Sequence, residues 1–448
     1  MRARLPIALL WLVVAGACSQ AAAPEPTIAT SQPTTAVGDT STTGATVAAT
    51  TTAPSIVTTA LAAPPDHDVG IRIVNGIGEF YNRSTGERFV PRGMNYVRLA
   101  RQTRADGSIT YGHSLFDPGQ YDTAVVGADL EKMHADGYNV IRVFLSPDTM
   151  GTARGDLSSD YLANVVDLLG HAEANSLYVM FTLDWLPGGI YGDILSADCC
   201  TEFALMNANF LPPAGLRANQ AFFGDFAAEL IRRNAATEHV FSYQLRNEMF
   251  YDSDQPPLSF TSGTVTTANG SSYDMASAAD REAMLEENSV FWLDSVRAAI
   301  LEVDPTALVS VGFFVPHGPN PARIGDPRVV VSAPAIWEST LDFIDVHAYA
   351  GFELDLLEHV ENFGMSGMQT KPIVMGEFGG EVSRFESITA AALTFRDWQV
   401  ESCDYGFDGW IFWTWDLDEQ ADFFNALMEG GAINGVLAPV LRPDPCVP

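Results

Sequence analysis

Short apolar runs alternate with amphipathic stretches along most of the chain. Segments with a helical period lie at 125–135, 160–174, 216–233 and 281–303. They separate most of eight runs rich in β-branched and aromatic residues, at 89–97, 138–146, 177–185, 240–247, 307–314, 341–347, 372–378 and 407–413. Several runs are almost continuously apolar, which is typical of parallel strands buried on both faces. The repeated β-then-α units predict an α/β fold, a (β/α)8 TIM barrel.

A doubly wound open sheet is the alternative fold for such an alternation. That fold binds nucleotides through a glycine-rich loop after its first strand, and no such loop follows residues 89–97. The barrel therefore remains the predicted architecture.

Two connections between the apolar runs, 185–240 and 247–307, are unusually long. Both follow the carboxyl ends of strands, so we expect enlarged loops on the C-terminal face of the barrel, where active sites form. The second connection contains Asn269-Gly270, a hairpin-turn signal. Upstream of the first run, segments 71–80 and 86–89 predict a hairpin that closes the N-terminal end of the barrel.

The first residues have the order of an export signal. Arg2 and Arg4 precede an apolar run at 5–14 that is too short to span a bilayer easily, and small residues at 15–17 precede Cys18. This order resembles a bacterial lipoprotein signal, in which the Cys18 thiol is lipidated and the residue becomes the N-terminus. An ordinary secretory signal is the alternative. Both interpretations predict export, with a lipid anchor at the cell surface or in the periplasm in the first case.

The segment after the signal cannot build a hydrophobic core. Residues 19–64 are dominated by Thr, Ala, Ser and Pro, contain no aromatic residue, and carry only two charges, Glu25 and Asp39. We interpret this segment as a flexible tether. The predicted organisation is a signal peptide at 1–17, a disordered tether at 18–64 and one folded catalytic domain at 65–448.

The charge balance excludes several classes of partner. The chain has 24 basic and 56 acidic residues and a formal net charge of −32, whereas nucleic-acid binding requires clustered Lys and Arg. The same acidity excludes electrostatic docking to anionic lipid, so we expect membrane contact only through the N-terminal anchor. The sequence leaves the oligomeric state open, and a monomer is the simplest expectation.

Two glutamates directly follow apolar runs. Glu248 ends the sequence Leu-Arg-Asn-Glu after the fourth run, and Glu377 lies in Gly-Glu-Phe-Gly at the end of the seventh. In a barrel these strands face each other across the mouth. Cleavage of a glycosidic bond with retention needs two carboxyl groups about 5–5.5 Å apart, one protonated and one ionised. One such glutamate alone is more often a solvated loop residue, but the pair predicts a retaining glycosidase.

The chain resembles glycoside hydrolase family 5, in clan A of the retaining (β/α)8 glycosidases, over most of residues 71–416. The motifs that carry the resemblance occur in the family's order. They are Arg92-Gly93-Met94-Asn95, Asn139-Val140-Ile141-Arg142, Asn247-Glu248, His347-Ala348-Tyr349, Gly376-Glu377-Phe378-Gly379 and Phe412-Trp413.

This resemblance implies a role for each matched side chain. Glu377 is the implied nucleophile and Glu248 the implied acid/base. Arg142 would hold the Glu377 carboxylate ionised, and Tyr349 would donate a hydrogen bond to it. The implied sugar contacts are Asn247 at the 2-hydroxyl, His347 near the acid/base or the ring hydroxyls, and Trp413 as a platform under the ring, unless its neighbours Trp410 and Trp415 show that it belongs to the core.

The third run departs from the family pattern. It ends Phe-Thr-Leu-Asp-Trp, without the histidine that the family commonly places there. We expect Asp184 or Trp185 to take that place beside the sugar, or a different substrate. His113 and His317 also follow strands and are candidates to line the cleft.

The expected activity is therefore hydrolysis of a β-linked glucan, mannan or related glycoside, with an oligo- or polysaccharide as the partner. No metal or organic cofactor is implied, since two carboxyl groups suffice for this chemistry. A non-catalytic carbohydrate-binding surface lipoprotein is the alternative, and transglycosylation would use the same residues. The sugar, the linkage and endo or exo action stay open.

Besides Cys18 the chain contains four cysteines, and an even number in an exported protein suggests disulfides. Cys403 precedes the eighth run and Cys446 lies near the end of the chain, so both are expected at the bottom of the barrel. Cys199 and Cys200 belong to a loop on the opposite face. We predict a Cys403–Cys446 disulfide, with Cys199 and Cys200 as a vicinal pair or free thiols; a redox or metal site is the alternative.

Overall fold

The computed structural model describes residues 64–103, 107, 109–152, 155–197, 202–314, 328–331, 333–352 and 354–447. The predicted signal and the predicted tether up to residue 63 lie outside these residues, as do Cys18, Cys199, Cys200 and His317. Within the described part of the chain, no helix is long and apolar enough to cross a membrane.

The strands of the described residues are, in chain order, β1 (Val69–Val74), β2 (Ile77–Asn82), β3 (Arg92–Asn95), β4 (Leu99–Thr103), β5 (Ile109–His113), β6 (Val140–Leu145), β7 (Tyr178–Leu183), β8 (Val240–Gln244), β9 (Tyr251–Asp252), β10 (Thr264–Thr266), β11 (Ser272–Asp274), β12 (Val309–Ser310), β13 (Gly312–Phe314), β14 (Arg328–Val329), β15 (Ile344–Tyr349), β16 (Ile373–Gly379) and β17 (Phe407–Phe412). The helices are α1 (Thr123–Ala135), α2 (Pro147–Met150), α3 (Ser159–Ala174), α4 (Ile190–Ser196), α5 (Leu205–Phe210), α6 (Pro213–Arg232), α7 (Ala278–Leu301), α8 (Ala333–Trp337), α9 (Leu356–Phe363), α10 (Ile388–Glu401), α11 (Met428–Gly431) and α12 (Asn434–Leu437).

The central sheet is a closed barrel of parallel strands. Its order is β12-β8-β7-β6-β3-β17-β16-β15-β13, and its two ends are consecutive pieces of the fifth barrel strand, interrupted only at Val311. Because β12 pairs with β8 while β13 pairs with β15, the fifth strand joins the two edges and closes the barrel. The predicted (β/α)8 fold is confirmed.

The strands and helices follow from the sequence pattern. Every residue of β6, β7 and β8 is buried, as expected for almost continuously apolar parallel strands covered by helices. The four predicted helices correspond to α1, α3, α6 and α7. All four begin one to three residues before the predicted segments. For α1, α3 and α7 a polar cap sets the start, because Asp122, Ser158 and Ser277 accept hydrogen bonds from the first-turn N–H groups.

The N-terminal end of the barrel is covered by the antiparallel β1–β2 hairpin. The ring of Phe80 lies 5.3 Å from those of both Phe241 and Phe343, which stand at the starts of two barrel strands. The predicted boundaries of this hairpin were wrong. Its turn is Asn75-Gly76, inside the segment 71–80, because both residues adopt positive φ (54° and 87°), which Asn-Gly favours. Arg88 adds only an isolated bridge to Tyr81.

The opposite face carries the enlarged loops. After β7 the chain forms α4 and α5 before α6, and after β8 it forms β9 and the β10–β11 hairpin, whose turn contains Asn269-Gly270. A third elaboration, the antiparallel β4–β5 hairpin after β3, was not predicted. Its residues are exposed or half-buried, so they show no apolar alternation.

A disulfide lies next to the start of β17. The sulfur atoms of Cys403 and Cys446 are bonded, 2.16 Å apart, and link the segment before β17 to the end of the described chain. Asp408 in β17 lies 3.4 Å from Arg88, whose guanidinium also contacts Asp444 at 2.8 Å. Burial raises the pKa of Asp408 to about 6, although Arg88 acts in the opposite direction.

This raised pKa predicts a pH-dependent stability. Between about pH 4 and pH 6 the folded protein keeps a proton on Asp408 that an unfolded carboxyl group releases, so this contribution to the free energy of unfolding falls as pH rises. Asp408→Asn should remove that dependence. The free energy of unfolding of the variant, relative to that of the wild type, should therefore rise by roughly 2 kcal/mol from pH 4 to pH 7. Urea unfolding at both pH values measures this difference, with Asp404→Asn, at an exposed position, as the control. A difference between variant and wild type that is the same at both pH values would contradict the raised pKa of Asp408.

Candidate active site

A fully buried arginine organises the mouth of the barrel. Arg142 Nη1 donates to Glu377 Oε1 at 2.6 Å and to Asn95 Oδ1 at 2.8 Å. Its Nε and Nη2 donate to Gln244 Oε1 at 2.9 and 2.7 Å, and Nη2 also reaches Asn247 Oδ1 at 2.5 Å. The acceptors lie on or directly after β3, β8 and β16, so the closed barrel brings them to one cation.

The Glu377 carboxylate is held by two donors. Oε1 accepts from Arg142, and Oε2 accepts from the Tyr349 hydroxyl at 2.5 Å. Burial raises the pKa of Tyr349 well above its usual value, and the Glu377 charge adds to this effect, so the phenol keeps its proton and donates it. A cation and a hydroxyl therefore complement the negative charge of Glu377 and fix its orientation.

The second carboxylate lies close to the first. His347 Nδ1 is 3.1 Å from Glu248 Oε1 and 3.6 Å from Glu377 Oε2. One oxygen of each glutamate and one His347 nitrogen all lie within 4.8 Å of one another. The Glu377 side chain is 5% exposed and that of Glu248 is 28% exposed, so Glu248 is the more accessible of the two carboxylates.

The backbone of the fifth strand allows this approach. A Cβ atom at Gly312 would lie 1.9 Å from the carbonyl oxygen of Asn247 and 2.9 Å from His347 Nε2. The Gly312 N–H donates to the Arg246 carbonyl, and its carbonyl accepts from the Met249 N–H. Glycine is therefore required where β13 passes the segment that carries Glu248.

His347 is the histidine between the two carboxylates. Burial, the largest single effect, lowers its pKa, but the Glu377 charge and the hydrogen bond to Glu248 outweigh burial and the nearby Arg142, so the pKa of His347 is raised. Asp345 lies two residues before it on β15 and therefore on the same face of the strand. Burial raises the pKa of Asp345, which accepts hydrogen bonds from Gln244 and from the Gly376 N–H.

The end of the third strand contributes Asp184 rather than Trp185 to this network. Asp184 Oδ1 accepts from Asn247 Nδ2 at 3.1 Å, and Oδ2 lies 3.2 Å from His113 Nε2. Burial acts to raise the pKa of Asp184, but His113, Arg246 and Asn247 together hold it below the usual range. Trp185 instead packs against the Arg246 guanidinium, 5.0 Å from the ring centroid.

Trp413 lies at the end of the eighth strand. Its Nε1 donates to Gln420 Oε1 at 3.2 Å, and its ring meets that of Phe144 edge-on at 5.9 Å. The Trp413–Thr414 peptide bond is cis. Trp410 and Trp415 are 1% and 0% exposed, and Trp413 is also buried but at 8% is the most accessible of the three, so it is the better platform candidate.

Glu248, His347 and Glu377 are also residue types that bind metal ions. The hydrogen-bond donors around these three residues suit proton transfer better than they suit metal binding. Both Glu377 oxygens already accept hydrogen bonds, and one of the donors is the Arg142 cation, which a metal ion on the same carboxylate would repel.

The structure thus brings seven of the predicted residues together: Arg142, Asp184, Asn247, Glu248, His347, Tyr349 and Glu377. Trp413 is linked to them through Phe144. Trp185 lies to one side. Gln244 and Asp345 were missed. The available signal was a polar residue inside an almost continuously apolar run, and for Asp345 also its spacing of two from His347.

The coupling of His347 to the carboxylates predicts a measurable titration. In the wild type the pKa of the ring should lie above the ordinary value for a histidine. Glu377→Gln should lower the pKa of His347, because it removes the charge that opposes Arg142 and burial. NMR titration of the ring signals tests this, with Glu361→Gln at an exposed position of α9 as the matched control. An unchanged titration in Glu377→Gln would refute the coupling.

Comparison with known proteins gives matches only at the level of structure. No protein-family model matches the chain, and no curated protein sequence matches it. The endo-1,4-β-mannanase from Rhizomucor miehei is similar with a TM-score of 0.55 and 15% identity, over 84% of this chain and 100% of that one. An endocellulase from Pyrococcus horikoshii is similar with a TM-score of 0.51 and 13% identity, over 84% and 99%.

The exo-β-1,4-mannosidase Op5Man5 from Opitutaceae bacterium strain TAV5 is similar with a TM-score of 0.54 and 16% identity, over 83% of this chain. The alignment spans 62% of that enzyme's length. At such identities the likeness concerns the fold alone. The chain has the barrel fold of these solved glycosidases.

Proposed function

We propose that the protein is a retaining β-glycosidase that hydrolyses O-glycosidic bonds in a β-linked glucan, mannan or related glycoside. The observation that carries this proposal is the placement of Glu248 and Glu377, with one oxygen of each within 4.8 Å of the other. Retaining enzymes hold the two carboxyl groups about 5–5.5 Å apart, whereas inverting enzymes need about 6.5–9.5 Å to fit a water molecule, so this close approach of two carboxylate oxygens favours double displacement. The folds of solved mannanases and of an endocellulase support the substrate class.

In the first step the Glu377 carboxylate attacks the anomeric carbon, and the bond to the leaving oxygen breaks. Glu248 delivers its proton to that oxygen. Arg142 and Tyr349 keep Glu377 oriented for attack, each with one hydrogen bond. The product of this step is a glycosyl ester on Glu377.

In the second step Glu248, now a carboxylate, accepts a proton from water. The water oxygen bonds to the anomeric carbon as the ester bond to Glu377 breaks, so the configuration is retained. His347 holds Glu248 from one side at 3.1 Å. Asn247 contacts the sugar 2-hydroxyl, and Trp413 offers an apolar face to the C–H surface of the ring.

Substitution of each glutamate tests this assignment. Glu377→Ala should lower hydrolysis of aryl β-glycosides by at least about a thousandfold, and azide should restore turnover with an α-glycosyl azide as product. Glu248→Ala should lose most activity on substrates with poor leaving groups, and azide should yield the β-glycosyl azide. Glu361→Ala on α9 is the matched control and should behave as the wild type.

The same experiment separates the competing functions. A wild type that binds sugars but hydrolyses nothing across a broad panel of glycosides and polysaccharides would be a carbohydrate-binding protein. Inversion at the anomeric carbon, followed by NMR, would overturn the two-step mechanism. Products longer than the substrate would identify transglycosylation.

We also propose that the chain is exported and lipid-anchored through Cys18. The order of basic residues, apolar run and small residues before Cys18 supports this proposal. In a bacterial host, wild-type protein should incorporate labelled palmitate and sediment with membranes, whereas Cys18→Ala should do neither. Equal labelling of both proteins would contradict the anchor.

A further inference from the structure

The β4–β5 hairpin carries a histidine to the edge of the site. His113 is the last residue of β5 and pairs with Leu99 of β4. Its ring stacks on that of Phe144 in β6, with centroids 3.8 Å apart and planes inclined by 10°. Leu99 packs against the small apolar cluster that contains Phe144 and Trp413. The base of the hairpin is therefore fixed on the carboxyl ends of the barrel strands.

His113 and Asn247 are linked through a single carboxylate. Asp184 uses one oxygen for each neighbour, Oδ2 for His113 Nε2 at 3.2 Å and Oδ1 for Asn247 Nδ2 at 3.1 Å. On its other side the Asn247 Oδ1 accepts from Arg142 Nη2 at 2.5 Å. A continuous chain of hydrogen bonds thus runs from the hairpin to the guanidinium that holds Glu377.

This chain fixes which way the Asn247 amide points. A flipped amide would place N–H groups against the Arg142 guanidinium and a carbonyl oxygen against the Asp184 carboxylate, and both contacts would be repulsive. In the observed orientation Asp184 uses one of the two Nδ2 hydrogens. The second hydrogen remains to donate to a sugar hydroxyl.

His113 itself is poorly placed to touch a sugar. The tautomer that donates to Asp184 carries its proton on Nε2, and Nδ1 is buried without a hydrogen-bond partner among the described residues. One face of the ring is covered by Phe144. The polar atoms of His113 are therefore directed at Asp184 or shielded from solvent.

We propose that His113 and Asp184 are positioning residues that hold the Asn247 side chain in the orientation that contacts the sugar 2-hydroxyl. This inference rests on the proposed glycosidase function. His113 orients Asp184, and Asp184 orients Asn247, so neither acts on the sugar directly.

A pair of substrates distinguishes positioning from a merely structural role. On an aryl β-glycoside, His113→Ala and Asp184→Ala should each lower kcat by roughly 10–100-fold, with a smaller change in KM. On the 2-deoxy analogue, which lacks the hydroxyl that Asn247 contacts, the same variants should lose less than about threefold relative to wild type on that analogue. His113→Gln should restore much of the activity, because its Nε2 can donate to Asp184. Equal losses on both substrates would overturn the proposal.

A double-substitution cycle tests whether the pair acts through Asn247. In the Asn247→Ala background, His113→Ala should cause no further loss on the parent glycoside. A persistent further loss would mean that His113 contacts the sugar itself, which would also overturn the proposal. His134→Ala, at an exposed position of α1, is the matched control and should leave activity unchanged in both backgrounds.

A measurement without substrate separates this inference from the proposed function. In protein labelled with 15N-asparagine, the Asn247 side-chain amide signal is assigned by its loss in Asn247→Ala. The signal should shift or broaden in His113→Ala and Asp184→Ala but not in His134→Ala. A signal that does not move would refute the positioning role even in an active enzyme, whereas a wild type that hydrolyses no glycoside would refute the function alone. Thermal unfolding of each variant confirms that it is folded.

Discussion

A guanidinium group removed from water must have its N–H groups accepted and its charge balanced, because an unpaired buried cation is strongly destabilising. Arg142 meets both requirements with Asn95, Gln244, Asn247 and Glu377. These acceptors belong to strands that lie far apart along the chain, and only the closed barrel brings them together. The site therefore exists only in the closed barrel. The carboxylate that balances the charge is also the proposed nucleophile.

The polar residues beneath the two glutamates are subject to the same constraint. Gln244 accepts from Arg142 with its oxygen and donates to Asp345 with its nitrogen, so its amide has one orientation. Asp345 in turn shares a face of β15 with His347 and Tyr349, which contact the two glutamates. In a low dielectric a buried polar group that loses its partner is costly, so each hydrogen bond in this series constrains the next. The orientation of the proposed nucleophile therefore depends on a buried carboxyl group that touches no substrate.

The sequence predicts the barrel because parallel strands covered on both sides must be apolar along their whole length, and that pattern is visible without a structure. It predicts Glu248 and Glu377 because each follows such a run. The role of Gln244 depends on contacts with residues about a hundred positions away, which no local pattern contains. The β4–β5 hairpin escapes prediction for a related reason. Its strands are held by pairing with each other and by packing on Phe144, and exposed strands need no alternation.

The histidine beside Asp184 comes from a hairpin and not from a barrel strand, which affects how firmly its position is set. A side chain at the end of a barrel strand has its position set by the sheet, whereas His113 is carried by a two-stranded hairpin, a unit that is marginally stable alone. Its order depends on stacking against Phe144 and on outer contacts such as Gln102 to Asp148 at 2.8 Å. Loops change more readily than strands during evolution. Substitutions in this hairpin can therefore alter how Asn247 meets the second carbon of the sugar while both glutamates stay in place.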